Sequence, residues 1–239
     1  MGELYMVATP IGNLGDITLR ALETLKAVDL IACEDTRRTL QLLNRFSIAK
    51  KLISCRTQNE AAAAQTVCRA LEAGQSVAYC SDAGTPGVSD PGARLAQIVR
   101  QNGFRVVPIP GASAVTALIS VSATESKGFR FEGFLSPKEG RRKRRLEELM
   151  NGDVPFILYE SPFRIIKLLH NIADTDSERL ITVGRELTKQ HEEIVEGTAE
   201  TVLNLFESRN MIKGEWVLLI NGKKELKSEI KKTDNKKER

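Results

Sequence analysis

Short apolar runs alternate with segments of helical period along this chain, and a Gly/Pro-rich polar stretch closes several of the runs. Residues 4–8, 28–33, 52–55 and 77–80 are apolar and of strand length. Residues 18–26 and 36–46 carry helical periodicity, with Leu19, Leu22 and Leu25 expected on one face of the first. An Ala-rich helix begins after Asn59 as its cap and ends at Gly74, and a further helix starts near Pro91. A strand at 106–107 is expected to break at Pro108 and Pro110, and 112–121 reads as a buried helix. Strand, helix, strand at this spacing demands a largely parallel sheet covered on both faces.

The pattern restarts after Ser122. Strands are expected at 129–134, 154–159, 180–185 and 215–220, and helices at 138–150, 163–172 and 198–207, with a hairpin or loop before Gly197. The fold class is therefore α/β with two α/β domains, 1–122 and 123–222. A Lys/Glu-rich tail, 223–239, has little to bury and is expected to be disordered.

The net charge of +4 belongs to that tail. From Gly222 onward there are eight Lys or Arg against four Asp or Glu, so the remaining 221 residues are neutral overall. The charge alone does not argue for a nucleic-acid surface on the folded body. No apolar run approaches membrane-span length, and the N-terminus lacks the basic-then-apolar pattern of a signal peptide. A cytoplasmic protein is expected. Cys33, Cys55, Cys68 and Cys80 have no metal-ligand spacing, and His170 and His191 are the only histidines. Buried thiols and no metal are the expectation.

Four polar segments follow strands, which is where ligands sit in open α/β sheets. Residues 9–16, TPIGNLGD, lack the glycine spacing of a dinucleotide site. Residues 34–38, EDTRR, place two acids where a helix N-terminus favours them, but also two arginines that it does not. Residues 81–92, SDAGTPGVSDPG, hold five of the chain's 25 Gly and Pro together with Ser81, Asp82, Thr85, Ser89 and Asp90. Without a Lys this is no Walker-type phosphate loop, and it suits a ligand bearing hydroxyls or positive charge. Residues 108–114, PIPGASA, offer small residues at a helix start. Farther on, YESPFR (159–164) and RELTK (185–189) end strands, and 138–145 carries six basic residues and one acid. That run is either a solvated helix face or a phosphate-attracting one. Aromatics, at 5%, are too sparse for an RRM-like stacking platform.

In this order the segments TPIGNLGDITLRALETL, EDTR, SDAGTPGVSDPG, PGASA, FEGFL, YESPFR and RELTK resemble the tetrapyrrole methylase superfamily. More closely, they resemble the small-subunit ribosomal RNA 2′-O-ribose methyltransferase I family. Ala112 departs from that pattern, where proline is expected, and 120–127 lacks a Ser-Gly pair. The resemblance implies S-adenosylmethionine bound in a cleft between two domains, a homodimer, and methylation of a decoding-centre cytidine 2′-hydroxyl in 16S rRNA of the small ribosomal subunit. It implies that Pro10, Ile11, Asp82, Gly84, Thr85, Ser113 and Ala114 line the cofactor. Glu160 and Lys189 are the implied catalytic groups, with Asp35 and Arg37 on the RNA side. A tetrapyrrole-type small-molecule methyltransferase and a non-catalytic RNA-binding protein are the rival readings.

Overall fold

The computed structural model describes residues 2–124, 126–209 and 211–223. The expected tail lies outside the described residues apart from Lys223. The chain divides into two compact units at Ser113/Ala114.

The first unit comprises β1 (Glu3–Val7), α1 (Leu19–Ala27), β2 (Leu30–Cys33), α2 (Thr36–Arg45), β3 (Lys51–Ser54), α3 (Glu60–Glu72), β4 (Val77–Cys80), α4 (Ala93–Gln101) and β5 (Arg105–Ile109). Its strands form one parallel sheet in the order β3-β2-β4-β1-β5. The apolar runs lack polar alternation because both faces are covered. Ile31, Cys33, Ala78 and Cys80 pack with Ala21 and Leu25 of α1 and Leu43 of α2. Leu4, Ala32, Val77 and Tyr79 turn the other way, onto Val67 and Leu71 of α3 and Leu95 and Val99 of α4. All four cysteines are buried, and burial pushes the Cys55 thiol up to about 12.

Three local expectations are corrected here. Leu19 is 78% exposed, because α1 buries Ala21 and Leu25 instead. Asn59 makes no side-chain cap; its Oδ1 accepts from Arg56 N at 2.6 Å and its Nδ2 donates to Ser54 O at 3.1 Å. Pro108 lies inside β5, paired with Met6. It is tolerated there because β5 is an edge strand, where a missing N–H need not break a ladder. Gly74 does close its helix in the left-handed region, at φ +81°.

The N-terminus of α4 is capped from outside its own segment. Glu60 is buried, and its Oε1 accepts from Gly92 N at 2.9 Å and Leu95 N at 3.0 Å. Gly92 stands at φ +129°, and a Cβ there would come 2.8 Å from Tyr79 Cε1. Glycine is required, and the far-side carboxyl replaces the Ser, Thr or Asp cap that the local sequence lacks.

The second unit comprises α5 (Ala114–Val121), β6 (Arg130–Phe134), α6 (Glu139–Met150), β7 (Phe156–Glu160), α7 (Ile165–Thr175), β8 (Leu180–Arg185), β9 (Glu193–Thr198), α8 (Ala199–Glu207) and β10 (Trp216–Ile220). The strand order is β6-β7-β10-β8-β9, with β6 and β7 parallel and the other neighbours antiparallel. Phe156, Leu158, Phe206 and Trp216 belong to the core beneath α6, α7 and α8. The expected boundary after residue 122 differs from the observed division. Helix α5 packs on β8 and β10, where the missing side chain of Gly184 leaves room for Leu118.

Two outcomes check this packing. Leu118→Ala should destabilise the second unit by about 3 kcal/mol through a buried cavity, read as a lowered urea midpoint by the fluorescence of Trp216, the chain's one Trp. Glu60→Ala should destabilise the first unit by about 2–4 kcal/mol, since two buried N–H groups lose their acceptor. Far-UV circular dichroism against urea measures it, and an unmoved midpoint would refute the cap.

Candidate active site

The strand order of the first unit locates a site before any residue is considered. From β1 the chain crosses past β4 to reach β2, and from β4 it crosses past β1 to reach β5. Right-handed crossovers in opposite directions put α1 and α4 on opposite faces, as the two core clusters show. A crevice therefore opens beyond the carboxyl ends of β1 and β4, the switch point of the sheet.

The loops that leave these two strands are bonded to one another. Thr9 N donates to Gly84 O at 2.9 Å, and Gly84 N donates to Thr9 O at 3.0 Å. Gly84 lies at φ +76°, and a Cβ on it would come 3.2 Å from Ile11 Cγ2. Only glycine meets both demands. Thr85 Oγ1 donates to Ala112 O at 3.2 Å, which ties the segment after β5 to the same wall. Pro10, Ile11, Asp82, Gly84, Thr85 and Ser113 thus gather along neighbouring strand ends. Ala114 follows Ser113 as the first residue of α5.

The segment after β2 joins this wall through Asp82. Its Oδ1 accepts from Asp35 N at 2.9 Å, and Arg38 Nη1 lies 3.4 Å from its Oδ2. Asp35 caps α2 by accepting from Arg37 N at 2.9 Å, and also takes Arg37 Nε at 3.1 Å and Nη2 at 2.7 Å. The two arginines that a helix N-terminus does not explain are therefore the counter-ions of Asp35 and Asp82. Hydrogen bonds from Arg37 hold the Asp35 carboxyl well below the usual carboxylate range. The loop 81–92 has no cation of its own, but Arg38 supplies one from the neighbouring segment.

Glu34, the other acid of this segment, differs from Asp35 in its surroundings. Its Oε2 is buried and has no hydrogen-bond partner among the described residues. Burial first, and then the nearby Asp82 and Asp90 carboxylates, raise its pKa. The sequence held one signal for it. Glu34 continues the period-2 register of Leu30 and Ala32, which face the core between the sheet and α3/α4. Among the described residues, no group of three or more His, Cys, Asp and Glu is placed to hold a metal ion.

Glu160 and Lys189 belong to the second unit. Glu160 is 2% exposed; its Oε1 accepts from Ser161 N at 2.8 Å and from Arg164 Nε at 2.8 Å, while its Oε2 has no partner among the described residues. Lys189 Nζ donates to Glu186 Oε1 at 2.8 Å and Glu215 Oε2 at 2.9 Å. Burial alone would lower the Lys189 pKa, but the two carboxylates outweigh it and hold it above its ordinary value.

The basic run 138–145 divides by role. Arg142 is buried against Asn171, Arg145 forms a fork on Glu132, and Lys143 pairs with Glu139. Lys138, Arg141 and Arg144 are exposed and have no ion pair among the described residues.

A family model for Tetrapyrrole (Corrin/Porphyrin) Methylases matches residues 3–203. The "Ribosomal RNA small subunit methyltransferase I" of Neisseria meningitidis serogroup B is 46% identical over 220 residues, 92% of this chain and 76% of that one. The protein of the same name from Synechocystis sp. is 47% identical over 93% of this chain and 80% of its own. Among solved structures, the uroporphyrin-III-C-methyltransferase of Thermus thermophilus superposes with a TM-score of 0.65 at 18% identity, covering 92% of this chain and 94% of that one. A structure of the Thermus enzyme complexed with S-adenyl homocysteine gives 0.64 at 16% identity, covering 91% and 97%. The chain belongs to the Tetrapyrrole (Corrin/Porphyrin) Methylases and, within them, to the ribosomal RNA small subunit methyltransferase I family.

Proposed function

We propose that the protein transfers a methyl group from S-adenosylmethionine to a ribose 2′-hydroxyl in 16S rRNA of the small ribosomal subunit. We place the acceptor on a decoding-centre cytidine, as the family resemblance implies. The observation that carries the reading is the pair of hydrogen-bonded loops at the β1/β4 switch point, in a chain of this family. The complex of the Thermus thermophilus fold relative with S-adenyl homocysteine, the demethylated form of the cofactor, supports the cofactor assignment. On the same family ground we propose a cytoplasmic homodimer. No helix among the described residues is long and apolar enough to cross a membrane.

The first unit's residues fit the cofactor. Backbone can approach closely at Gly84, and Thr85, Ser113 and the Asp82 carboxylate offer small hydrogen-bonding groups. Arg37 and Arg38, beside this wall, are each engaged by a carboxylate, which moderates their repulsion of a positive ligand. When bound, S-adenosylmethionine supplies an electrophilic methyl group on a sulfonium. Pro10, Ile11, Gly84 and Thr85 would hold and orient it, and orientation supplies much of the rate of an in-line displacement.

The acceptor hydroxyl must also lose its proton. Asp35 is a poor acceptor for it, because both its oxygens are spent on Arg37. Lys189, held protonated, can only donate. Glu160 keeps one open acceptor atom, Oε2. The Glu34 carboxyl also has an oxygen with no partner among the described residues, and a pKa raised toward neutrality, which is what a base working near pH 7 requires. We assign the proton to the Glu34 carboxylate, and Asp35 with Arg37 to positioning of the RNA.

Incubation with labelled S-adenosylmethionine and small ribosomal subunits should place label on a ribose 2′-oxygen of 16S rRNA. Transfer to a porphyrinogen but not to the subunits would overturn the assignment. Glu34→Gln should lower kcat by about 100-fold or more, with cofactor affinity within about twofold of the parent by calorimetry. The wild-type rate should rise with pH through a carboxyl pKa above the ordinary range, since only the deprotonated group accepts a proton, and the variant should lack that limb. Stability runs the other way. A raised folded-state pKa favours the fold at low pH and loses that contribution as pH rises through it, so Glu34→Gln should not destabilise the fold at neutral pH. An unaltered pH–rate profile would remove Glu34 from the mechanism.

A further inference from the structure

Strand β6 carries a bulge that reorders its aromatic residues. Phe131 pairs with Ile157, Gly133 with Leu158 and Phe134 with Tyr159, so Glu132 is the extra residue. In an unbroken strand, residues three apart face opposite sides. With the bulge, both phenylalanines pack edge-on against Tyr159, Phe131 at 5.0 Å and Phe134 at 5.7 Å between centroids. Gly133 at φ +71° permits the kink, and the Arg145 fork on Glu132 pins the extra residue to α6. Four residues beyond Tyr159, in the loop leaving the neighbouring strand, Phe163 is 95% exposed. Phe134, at the end of β6, is 54% exposed.

The cations of α6 belong to the same unit as these rings, and the ion pair of Lys167 with Glu139 ties the start of α6 to α7, which begins just beyond Phe163. Helix α6 begins just after β6 ends, and Arg145 reaches back to the bulge. Arg141 lies one turn nearer the start of α6 than Arg145, with Lys138 before it and Arg144 one turn along. All three are exposed, and no acidic group among the described residues pairs with them. The local acids are engaged elsewhere, Glu139 by Lys143 and Lys167, and Glu148 by Arg145.

Exposed rings and unpaired cations on one unit fit one class of partner. We propose that the carboxyl end of β6 and β7, with the start of α6, is a platform for single-stranded RNA. A base stacks on Phe163, the more exposed of the two rings, and Lys138, Arg141 and Arg144 contact the phosphates around it. Rings take any base by its π-face, and a basic strip follows a flexible backbone. A duplex keeps its bases stacked inside and offers these rings nothing. This inference rests on the proposed rRNA substrate and adds the form in which that RNA is held.

The test uses the full-length protein, a fluorescein-labelled single-stranded oligoribonucleotide of mixed sequence, and the same sequence as duplex. Anisotropy should show tighter binding of the single strand. Phe163→Ala and Phe163→Leu should each weaken it about tenfold, the loss of one base–aromatic stack, while Phe163→Tyr retains it. Arg141→Ala combined with Arg144→Ala should flatten the salt slope by roughly 1.4, about 0.7 per phosphate contact on a single strand. Calorimetry should show unchanged cofactor affinity for all four. Parental binding by Phe163→Leu would overturn the stack, and an unchanged salt slope would overturn the phosphate contacts. A smaller assembly of Phe163→Ala by light scattering would reassign the surface to contact with a second copy. Tighter binding to anionic vesicles than to the oligoribonucleotide would reassign it to lipid. If the wild-type protein fails to methylate small subunits, the rRNA reading falls. If it methylates them and Phe163→Ala binds RNA as the parent does, only the platform falls.

Discussion

Two hydrogen bonds between Thr9 and Gly84 convert a parallel sheet into a site. A parallel sheet delivers loops to one edge but leaves each free to choose its own path. Here the loops after β1 and β4 meet as a short antiparallel bridge just where the crossovers diverge. That meeting needs a residue able to sit at φ +76° with no Cβ against Ile11, so glycine at 84 is a geometric requirement. Everything placed along the wall, from Ile11 to Thr85 and its bond to Ala112, inherits its position from this bridge.

Charge is distributed along the wall so that the acids are satisfied and one is not. Asp35 is spent on Arg37, and Asp82 on Arg38 and the Asp35 amide. A carboxylate whose oxygens are bonded in this way serves architecture. Among the described residues, Glu34 has neither a cation within ion-pair distance nor a donor for its buried Oε2, and burial and two neighbouring carboxylates oppose its ionisation. An uncompensated acid in that position is unfavourable for the fold, and such strain recurs where catalysis uses it.

The strands and helices of the first unit were legible because periodicity and glycine placement act locally. The strand-end loops that carry the site were legible for the same reason, since turns and small polar residues cluster in sequence. What could not be read depended on neighbours far along the chain. Leu19 is exposed because the packing of α1 selects Ala21. Pro108 sits in a strand because β5 falls at an edge. The α4 cap comes from Glu60, 32 residues before Gly92. Helix α5 joins the second unit because Gly184 receives it. The basic run looked uniform in sequence, yet its members divide among core, ion pair and solvent according to one helix face.

The aromatic residues show why composition can mislead about recognition. At 5% of the chain they are few, but one inserted residue in β6 sets two of them on the same ring. The backbone frame is shared with uroporphyrin methyltransferases at 16–18% identity, so the frame alone says nothing about the size of the acceptor. Selection of the acceptor then falls to side chains that neither the core nor an ion pair has already taken. Among the described residues these include Phe163, Phe134, Lys138, Arg141, Arg144 and the Oε2 of Glu160 on the second unit, and the Oε2 of Glu34 on the first. Rings and cations suited to a polynucleotide lie on the second unit, and an unpartnered carboxylate oxygen is found on each. A small-molecule methylase has use for the second kind of group and none for the first.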